Sequence, residues 1–232
     1  MTAAARCEDL FGADLLAGLA AQKRTFENGL VYVPGYFDVA AQRALLAQIE
    51  AALVEAPLFR PTMPKTGKAF SVRMSNCGAL GWVSDRDGGY RYQAKHPETG
   101  KPWPKIPALA MQAWTELAEY PHLPEACLIN FYDAAARMGQ HQDSDEAALA
   151  APVLSVSLGS SCVFRFGGTT RAGKTSALTL ASGDVLLLQG RARLIYHGVA
   201  RIIPGTSPLP DSDLLPGGSR INLTLRRVTR PT

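Results

Sequence analysis

The sequence contains little of what disulfide frameworks, zinc modules and membrane anchors are built from. Its 232 residues include four cysteines, which are widely spaced and form no C-x-x-C pair: Cys7, Cys77, Cys127 and Cys162. That spacing argues against a zinc site or a redox dithiol and favours buried, reduced thiols, as in a cytoplasmic protein. No run of 18 apolar residues occurs, so no membrane-spanning helix is predicted. The first 20 residues hold acids within their apolar part and are not predicted to be a signal peptide.

Strong net charge, internal repeats and low-complexity tracts are also missing. The 24 basic and 20 acidic residues give a net charge of +4, which is compatible with a polyanionic partner but does not require one. Hydrophobic residues make up 47% of the chain, enough for a complete core in one domain. The 21 glycines and 16 prolines favour many turns and a β-rich fold.

Helices are predicted at two places, and strands mainly after them. Apolar residues recur at helical spacing over about residues 39–55, and Asp38 can cap that helix. A second helix is predicted between Pro107 and Pro121. After Pro124, short runs rich in β-branched and aromatic residues are separated by glycine and proline, which predicts strands. The fold class is therefore α+β, mainly β: an antiparallel sandwich or barrel with the helices packed on one side.

Residues 58–107 follow no clear period. This segment mixes glycine, proline and aromatic residues, as in "MSNCGALGW", "DGGYRYQ" and "KPWPKIP". A long irregular region inside a compact domain is often functional.

The stretch "GQHQDSDEAAL" holds the first candidate for chemistry. His141 and Asp143 are two residues apart, so on an extended backbone their side chains point to the same face. With His197, from a later predicted strand, they would make two imidazoles and one carboxylate, the facial triad of non-haem Fe(II) oxygenases. Two simpler alternatives are open: the pair can hydrogen-bond on a solvated loop, and His197 can be a core histidine.

The run "SRINLTLRRV" is the second candidate. If it is a strand, its isoleucine and leucines point one way, and four polar side chains point the other way: Arg220, Asn222, Thr224 and Arg226. Two arginines on one face could bind a small dianion, because guanidinium groups pair with carboxylates through two hydrogen bonds and stay charged. A dicarboxylate co-substrate of an Fe(II) oxygenase fits this face. The alternative is the solvated face of an edge strand.

These motifs together resemble a known family. "HQDSDE", "YHG" and "RINLTLR", with "CLINFY", "APVLSVSLG" and "FRFGG", are similar to the AlkB family of Fe(II)/2-oxoglutarate-dependent dioxygenases, in particular its bacterial alkylation-repair members. The resemblance runs from about residue 25 to the C-terminus. It implies a double-stranded β-helix (jelly roll) in a single domain, with an N-terminal extension and helix (1–57), a nucleotide-recognition lid (58–107) and a helix with the catalytic core (108–232).

The activity implied by the resemblance is oxidative demethylation of N-alkylated bases such as 1-methyladenine and 3-methylcytosine. The polymer would be DNA, with single strands expected and RNA as the alternative. Fe(II) would be the cofactor, and 2-oxoglutarate and O2 the co-substrates, giving formaldehyde, succinate and CO2. The protein would be a cytoplasmic monomer without membrane contact.

The resemblance also implies a role for each site residue. Three residues would ligate Fe(II): His141, Asp143 and His197. Five would bind 2-oxoglutarate, with Arg220 at the distal carboxylate, Arg226 near the metal-side carboxylate, and hydrogen bonds from Asn130, Tyr132 and Asn222. Five would bind the substrate: Trp82 stacking on the base, Tyr90 and Tyr92 contacting the nucleotide or its phosphates, Asp145 facing the exocyclic amine, and Arg171 supporting that pocket.

Two other function classes are alternatives to a nucleic-acid demethylase. The same iron chemistry could hydroxylate a small molecule or a protein, but such a substrate gives no reason for the aromatic residues of segment 58–107 or for Asp145. A non-catalytic nucleic-acid-binding module is the other alternative. An intact set of ligands with both arginines argues against it, since a binding module has no need of an oxidisable metal.

Overall fold

The computed structural model describes residues 23–231, so the predictions for the N-terminal 20 residues and for Cys7 lie outside the described residues. It contains two α-helices, α1 (Val39–Glu55) and α2 (Ala108–Leu117), and a 3-10 helix at Gly190–Ala192. The strands are, in chain order, β1 (Arg24–Thr25), β2 (Val31–Val33), β3 (Arg73–Gly78), β4 (Gly81–Asp85), β5 (Gly89–Gln93), β6 (Ala126–Tyr132), β7 (Met138–His141), β8 (Val153–Gly159), β9 (Ser161–Phe166), β10 (Ser176–Leu180), β11 (Val185–Leu188), β12 (His197–Ile203) and β13 (Arg220–Arg226).

Two antiparallel sheets and a hairpin organise these strands. The large sheet has seven strands in the order β1-β2-β11-β8-β13-β6-β3, and the small sheet has four in the order β10-β9-β12-β7. The remaining two, β4 and β5, pair as a separate hairpin. The fold is therefore mainly β with few helices, as predicted.

The large sheet lies between two apolar cores. One core joins its inner face to the small sheet through residues such as Leu128, Leu186 and Phe164. The other joins its outer face to the helices through residues such as Leu45 and Trp114. Alternation along each strand of the large sheet supplies both cores at once, because successive side chains point to opposite faces.

Local signals explain where the helices start. The side chain of Asp38 accepts a hydrogen bond from the Ala41 backbone N–H at 2.8 Å, which caps α1 as expected. The apolar stripe of α1 is buried against the large sheet, with Leu45 and Ile49 fully inaccessible. The predicted bounds of this helix, residues 39–55, are confirmed. The second helix begins directly after Pro107, which occupies the N-cap position rather than the predicted first turn.

Strand β13 lies in the middle of the large sheet, between β6 and β8. Its apolar side chains face the helices, as shown by Ile221 and Leu223 in the outer core. Its polar side chains therefore face the small sheet, and both arginines are buried, Arg220 at 1% exposure and Arg226 at 6%. The solvated-edge alternative for this strand is wrong, because both of its edges are hydrogen-bonded to neighbours.

Residues 58–107 are more regular than their composition indicated. Strand β3 pairs with β6 along six residues and forms one edge of the large sheet, so part of this segment belongs to the core sheet. The Asn76 side chain then fixes the start of β4 by bonding both backbone polar groups of Trp82 at 3.0 Å. The missing period has a physical reason: β3, "RMSNCG", buries polar residues that are satisfied by hydrogen bonds.

Two further observations concern the absences noted in the sequence. Cys77, Cys127 and Cys162 are buried and free, as expected for reduced thiols. Neither α-helix in residues 23–231 combines the length and apolar character that crossing a membrane requires.

Candidate active site

A cavity of about 530 Å³ opens between the two sheets. Its walls come from β6 and β13 of the large sheet and from β9 and β12 of the small sheet, and the β4–β5 hairpin borders it through Trp82 and Tyr90. All but Tyr92 of the site residues predicted from the sequence line this cavity.

His141 and His197 face each other across two neighbouring strands. They are direct partners in the pairing of β7 with β12, and their ring centroids lie 4.5 Å apart. Asp143, two residues beyond His141, is buried between them: its carboxylate oxygens lie 3.7 Å from the Nε2 atom of each ring. One ligand atom from each of the three residues lies within 4.8 Å of the others. The triad predicted from the sequence is thus assembled and able to bind a metal ion.

Backbone carbonyls orient both imidazoles. The Nδ1 atom of His141 lies 2.9 Å from the Gly139 carbonyl oxygen, and that of His197 lies 3.1 Å from the Ile195 carbonyl oxygen. A carbonyl oxygen can only accept, so Nδ1 carries the proton and donates. Nε2 then carries no proton and its lone pair is available to a metal ion, as in a metal-binding histidine with its supporting hydrogen bond.

Burial and charge set the protonation of the triad. Burial lowers the pKa of His197 to about 4, against the opposing attraction of Asp143. Burial alone would raise the pKa of Asp143, but the positive charge of Arg226, with both imidazoles and Arg193, holds it well below its usual range. At neutral pH the site therefore offers an ionised carboxylate and a neutral imidazole, the states in which these groups bind metal.

Arg220 is a buried cation that pairs with no acid of the described residues. Its Nη1 donates to the Ser160 carbonyl at 3.2 Å and its Nη2 to the Ser157 hydroxyl at 2.6 Å, while its Nε has no hydrogen-bond partner in the described part of the chain. Within residues 23–231 no carboxylate lies within ion-pair distance of it. A buried charge normally needs a counter-ion, and a buried N–H without an acceptor costs free energy. The cavity at Arg220 therefore suits an anionic ligand.

Amide and hydroxyl groups line the wall between the two arginines. Asn222 donates from Nδ2 to the Ser155 hydroxyl at 2.7 Å and to the Val156 carbonyl at 3.0 Å, and its oxygen accepts from the Thr224 hydroxyl at 2.9 Å. Asn130 lies opposite Asn222 in the pairing of β6 with β13. Burial raises the pKa of Tyr132, so its hydroxyl keeps its proton and can donate. These are the hydrogen-bonding groups expected around a small carboxylate ligand.

The mouth of the cavity is aromatic. Trp82 and Tyr90 of the β4–β5 hairpin stack at 5.5 Å between centroids and 23° between planes. The Trp82 indole Nε1 donates to Asp145 at 2.8 Å, which leaves the other carboxylate oxygen free to accept. Tyr90 is half exposed. An aromatic face next to an unpaired carboxylate oxygen suits a flat ligand that carries an amino group.

Comparison with known proteins agrees with this geometry. A family model described as the 2OG-Fe(II) oxygenase superfamily matches residues 29–226. The chain is 49% identical over 210 residues to the alpha-ketoglutarate-dependent dioxygenase AlkB homolog of Caulobacter vibrioides, covering 90% of this chain and 92% of that one. It is 38% identical over 220 residues to alpha-ketoglutarate-dependent dioxygenase AlkB of Escherichia coli, covering 93% and 97%. A solved structure of OsALKBH1 matches with a TM-score of 0.71 at 29% identity, covering 88% of this chain and 99% of that one.

The chain belongs to the AlkB family. It is a 2-oxoglutarate/Fe(II)-dependent dioxygenase of that family, alpha-ketoglutarate being the older name for 2-oxoglutarate. The His141–Asp143–His197 triad is the group of side chains in this AlkB-family protein that can bind the iron.

Two of the predicted substrate-binding residues, Tyr92 and Arg171, lie away from the centre of the cavity. The hydroxyl of Tyr92 hydrogen-bonds Glu146 and accepts from the Arg226 Nη1 at 3.0 Å, and its side chain does not line the cavity. The expected contact of Tyr92 with a nucleotide is therefore not what the structure presents, because the charged groups behind the triad hold its hydroxyl. Arg171 lies at the rim, where its Nη2 donates to the Gln140 carbonyl at 3.0 Å.

Two charged residues that sequence reasoning did not select also belong to the site of this AlkB-family protein. Glu146 accepts from Arg226 at 2.7 Å and from Arg193 at 2.8 Å, and its side chain is completely buried. Arg193 also donates to the backbone carbonyls of Asp143 at 2.5 Å and Ala151 at 2.8 Å. The available signal was position: Glu146 closes "HQDSDE" at the edge of the apolar run that follows, and Arg193 precedes the strand that carries His197.

Proposed function

We propose that this dioxygenase removes methyl groups oxidatively from N-alkylated bases such as 1-methyladenine and 3-methylcytosine. The observation that carries the proposal is the composition of the cavity between the sheets. The cavity contains a metal-binding triad and the buried Arg220, which forms no ion pair within residues 23–231. Its mouth is aromatic and lies next to Asp145. The first two fit iron and a dicarboxylate, and the mouth fits a flat, amino-bearing base.

The inner residues fit the two small molecules that the chemistry needs. Fe(II) would be held by His141, Asp143 and His197. Arg220 would bind the distal carboxylate of 2-oxoglutarate, and that carboxylate would be the counter-ion of the buried guanidinium. Asn130, Tyr132, Asn222 and Arg226 would bind the rest of the co-substrate. Iron, when bound, supplies the O2 activation by which 2-oxoglutarate becomes succinate and CO2 and the methyl group becomes hydroxylated, to leave as formaldehyde.

The mouth residues would bind the base. Trp82 offers an aromatic face for stacking, which attracts a cationic methylated base more than a neutral one. The free oxygen of Asp145 would accept a hydrogen bond from the exocyclic amine of adenine or cytosine. Tyr90 would contact the nucleotide or its phosphates, and the exposed Arg171 would support the pocket around Asp145. A methylated base pairs poorly, so its removal from the stack costs less, and this favours damaged over intact bases.

The finer structural assignments follow from the same features. The two facing antiparallel sheets support a double-stranded β-helix, or jelly roll, as the catalytic core. The β4–β5 hairpin, which carries Trp82 and Tyr90, supports a nucleotide-recognition lid within residues 58–107. Buried free thiols support a reducing, cytoplasmic compartment. The protein is expected to act as a monomer on single-stranded DNA, with RNA as the alternative substrate.

The test is the release of formaldehyde and succinate from an oligonucleotide that contains 3-methylcytosine. Both products are expected only when Fe(II), ascorbate, 2-oxoglutarate and O2 are all present. The matched control is the same oligonucleotide with unmodified cytosine, which should give no formaldehyde.

Each product reports on a different half of the proposal. Succinate without formaldehyde would mean that the iron chemistry is present but that this oligonucleotide is not the substrate, which favours a small molecule or a protein. Binding of the oligonucleotide without either product would mean a non-catalytic nucleic-acid-binding module. Parallel assays with DNA and RNA oligonucleotides of the same sequence decide between the two polymers.

A further inference from the structure

Glu146 is a fully buried acid that lies three residues beyond Asp143 but outside the cavity. Its side chain has 0% exposure, and both oxygens are engaged: Oε1 by Arg226 and Tyr92, and Oε2 by Arg193. A carboxylate in such a place is retained only where its partners offset the loss of hydration. Its position behind the triad raises the question of what it does there.

Arg226 is shared between two acids. Its Nη1 donates to Glu146 at 2.7 Å and its Nη2 donates to Asp143 at 2.6 Å. The two acids hold opposite ends of one planar group, so together they fix the direction in which the remaining edge points. That edge carries Nε, which is buried and has no hydrogen-bond partner among residues 23–231, and Arg226 borders the cavity.

Arg193 anchors Glu146 to the loop that carries Asp143. Its three nitrogen atoms donate to three separate acceptors: the Glu146 carboxylate, the Asp143 carbonyl and the Ala151 carbonyl. The loop, the acid and the arginine of β13 therefore form one hydrogen-bonded unit. Two guanidinium groups and two carboxylates balance in charge within it, which is the condition for burying such a cluster at low cost.

We propose that Glu146 is a positioning residue for Arg226, and through Arg226 for the metal-side carboxylate of the bound 2-oxoglutarate. The inference rests on the proposed function, since it needs 2-oxoglutarate at this arginine. Without the Glu146 charge, the guanidinium has only Asp143 as an acidic partner. It then turns toward that carboxylate, away from the co-substrate and into competition with the metal ion. Glu146 does not touch the cavity, so the nucleic-acid contacts stay unchanged.

The experiment compares Glu146→Gln and Glu146→Asp with the unaltered protein. Glutamine keeps the size but places N–H donors where two arginines also donate. Aspartate keeps the charge on a shorter side chain. Glu125→Gln is the matched control, because Glu125 pairs with Arg227 just beyond β13 at 3.4 Å and does not line the cavity. Affinity for 2-oxoglutarate is measured by equilibrium dialysis with Mn(II) in place of iron, and the KM values for 2-oxoglutarate and for the 3-methylcytosine oligonucleotide are measured separately.

For Glu146→Gln we expect both the dissociation constant and the KM for the co-substrate 2-oxoglutarate to rise about tenfold, the effect of losing one charged hydrogen bond. The KM for the oligonucleotide should change by less than about twofold, since the mouth is untouched. For Glu146→Asp the dissociation constant and the KM for 2-oxoglutarate should rise about threefold, less than in Glu146→Gln, because the charge remains. Glu125→Gln should match the unaltered protein in all three values.

Unchanged 2-oxoglutarate binding in Glu146→Gln overturns the inference. Equal losses for both substrates in the two Glu146 variants, with a lower melting temperature, also overturn it, since a role in packing alone predicts that result. Should the glutamine variant fail to fold, the aspartate variant decides by the same criterion. If the unaltered protein itself does not bind 2-oxoglutarate, the proposed function fails with it. Binding in the unaltered protein with no effect of either variant sinks only the role of Glu146.

Discussion

The inner half of the cavity, around Asp143 and Arg220, differs from its mouth, around Trp82 and Tyr90, in what holds the side chains and in the exposure of Tyr90. Arg220 is 1% exposed and Tyr90 is 51% exposed. Inner side chains are fixed by charged or backbone hydrogen bonds, as at Arg226 and His197. The mouth side chains are held by aromatic contacts and by neutral donors, with one indole hydrogen bond from Trp82 to Asp145.

This difference separates two tasks. The metal ion and the dicarboxylate are the same in every reaction cycle, so a rigid and charged site binds them well. A base in a nucleic acid arrives with variable neighbours, so a looser aromatic surface on a two-stranded hairpin suits it better. The comparison predicts that inner substitutions affect metal or co-substrate alone, and that mouth substitutions affect the nucleic acid alone.

Removing the carboxylate of the triad should have the largest effect. Asp143→Ala is expected to reduce turnover at least about 1,000-fold, because a bound metal contributes several kcal/mol to the chemical step. Binding of the 3-methylcytosine oligonucleotide, measured by fluorescence anisotropy, should change by less than about twofold. Stabilisation by Mn(II) in a thermal-shift assay should disappear. Asp213→Ala, away from the cavity, is the control. Turnover that survives in Asp143→Ala would break the metal assignment.

The next largest effect is expected at Arg220. Arg220→Met keeps most of the side-chain volume but removes the charge, and should raise the dissociation constant for 2-oxoglutarate about 100-fold, as truncation of a buried charge pair does. The protein without ligand should be as stable as before or more stable, because a buried cation without an acid is removed. Melting temperatures with and without 2-oxoglutarate test both expectations, the weaker binding and the unchanged or higher stability of the ligand-free protein. The control Arg201→Met, at an exposed position of β12, should change neither the dissociation constant for 2-oxoglutarate nor the melting temperature of the ligand-free protein. A large loss of stability in the ligand-free Arg220 variant would contradict this explanation of its burial.

The parts of the site that the sequence predicted are those with a local pattern. Alternation along "RINLTLR" separated Arg220 and Arg226 from the apolar residues, and the structure places these two sets on opposite faces of β13. The i, i+2 spacing of His141 and Asp143 put both on one side. Helix α1 followed from its apolar stripe and from Asp38. In each case, neighbours within a few residues determine the geometry.

The parts that the sequence did not predict depend on contacts between distant segments. Tyr92 meets Arg226 across 134 positions of the chain, and Arg193 meets Glu146 across 47. No local period encodes such pairings. The strand character of β3 was hidden for a similar reason: its buried Ser75 and Asn76 are satisfied by hydrogen bonds to the Ala56 carbonyl and to Trp82, which only the folded chain supplies.

A smaller effect is expected at the mouth. Trp82→Ala should raise the KM for the 3-methylcytosine oligonucleotide about tenfold, within the range of about 1–3 kcal/mol typical of base–aromatic stacking. The dissociation constant for 2-oxoglutarate should stay within about twofold of the original value. Tyr120→Ala, beside the helices on the far side of the large sheet, is the aromatic control. If Trp82→Ala weakens 2-oxoglutarate binding as much as oligonucleotide binding, the two halves of the cavity are not independent.

The smallest effect is expected at Asp145, where the substitution should change the preference among bases more than the rate. In Asp145→Asn the amide oxygen can still accept from the Trp82 indole, which the carboxylate does now at 2.8 Å. The amide NH2 then replaces the free oxygen, and it repels the exocyclic amine of methylated adenine or cytosine while favouring a carbonyl. The relative kcat/KM for 3-methylcytosine over 3-methylthymine should fall about threefold or more, the size of one neutral hydrogen bond. An unchanged ratio would leave Asp145 as a support for Trp82 only. A changed ratio with unaltered 2-oxoglutarate binding would show that base choice is made at the mouth, independently of the charged groups that hold the co-substrate.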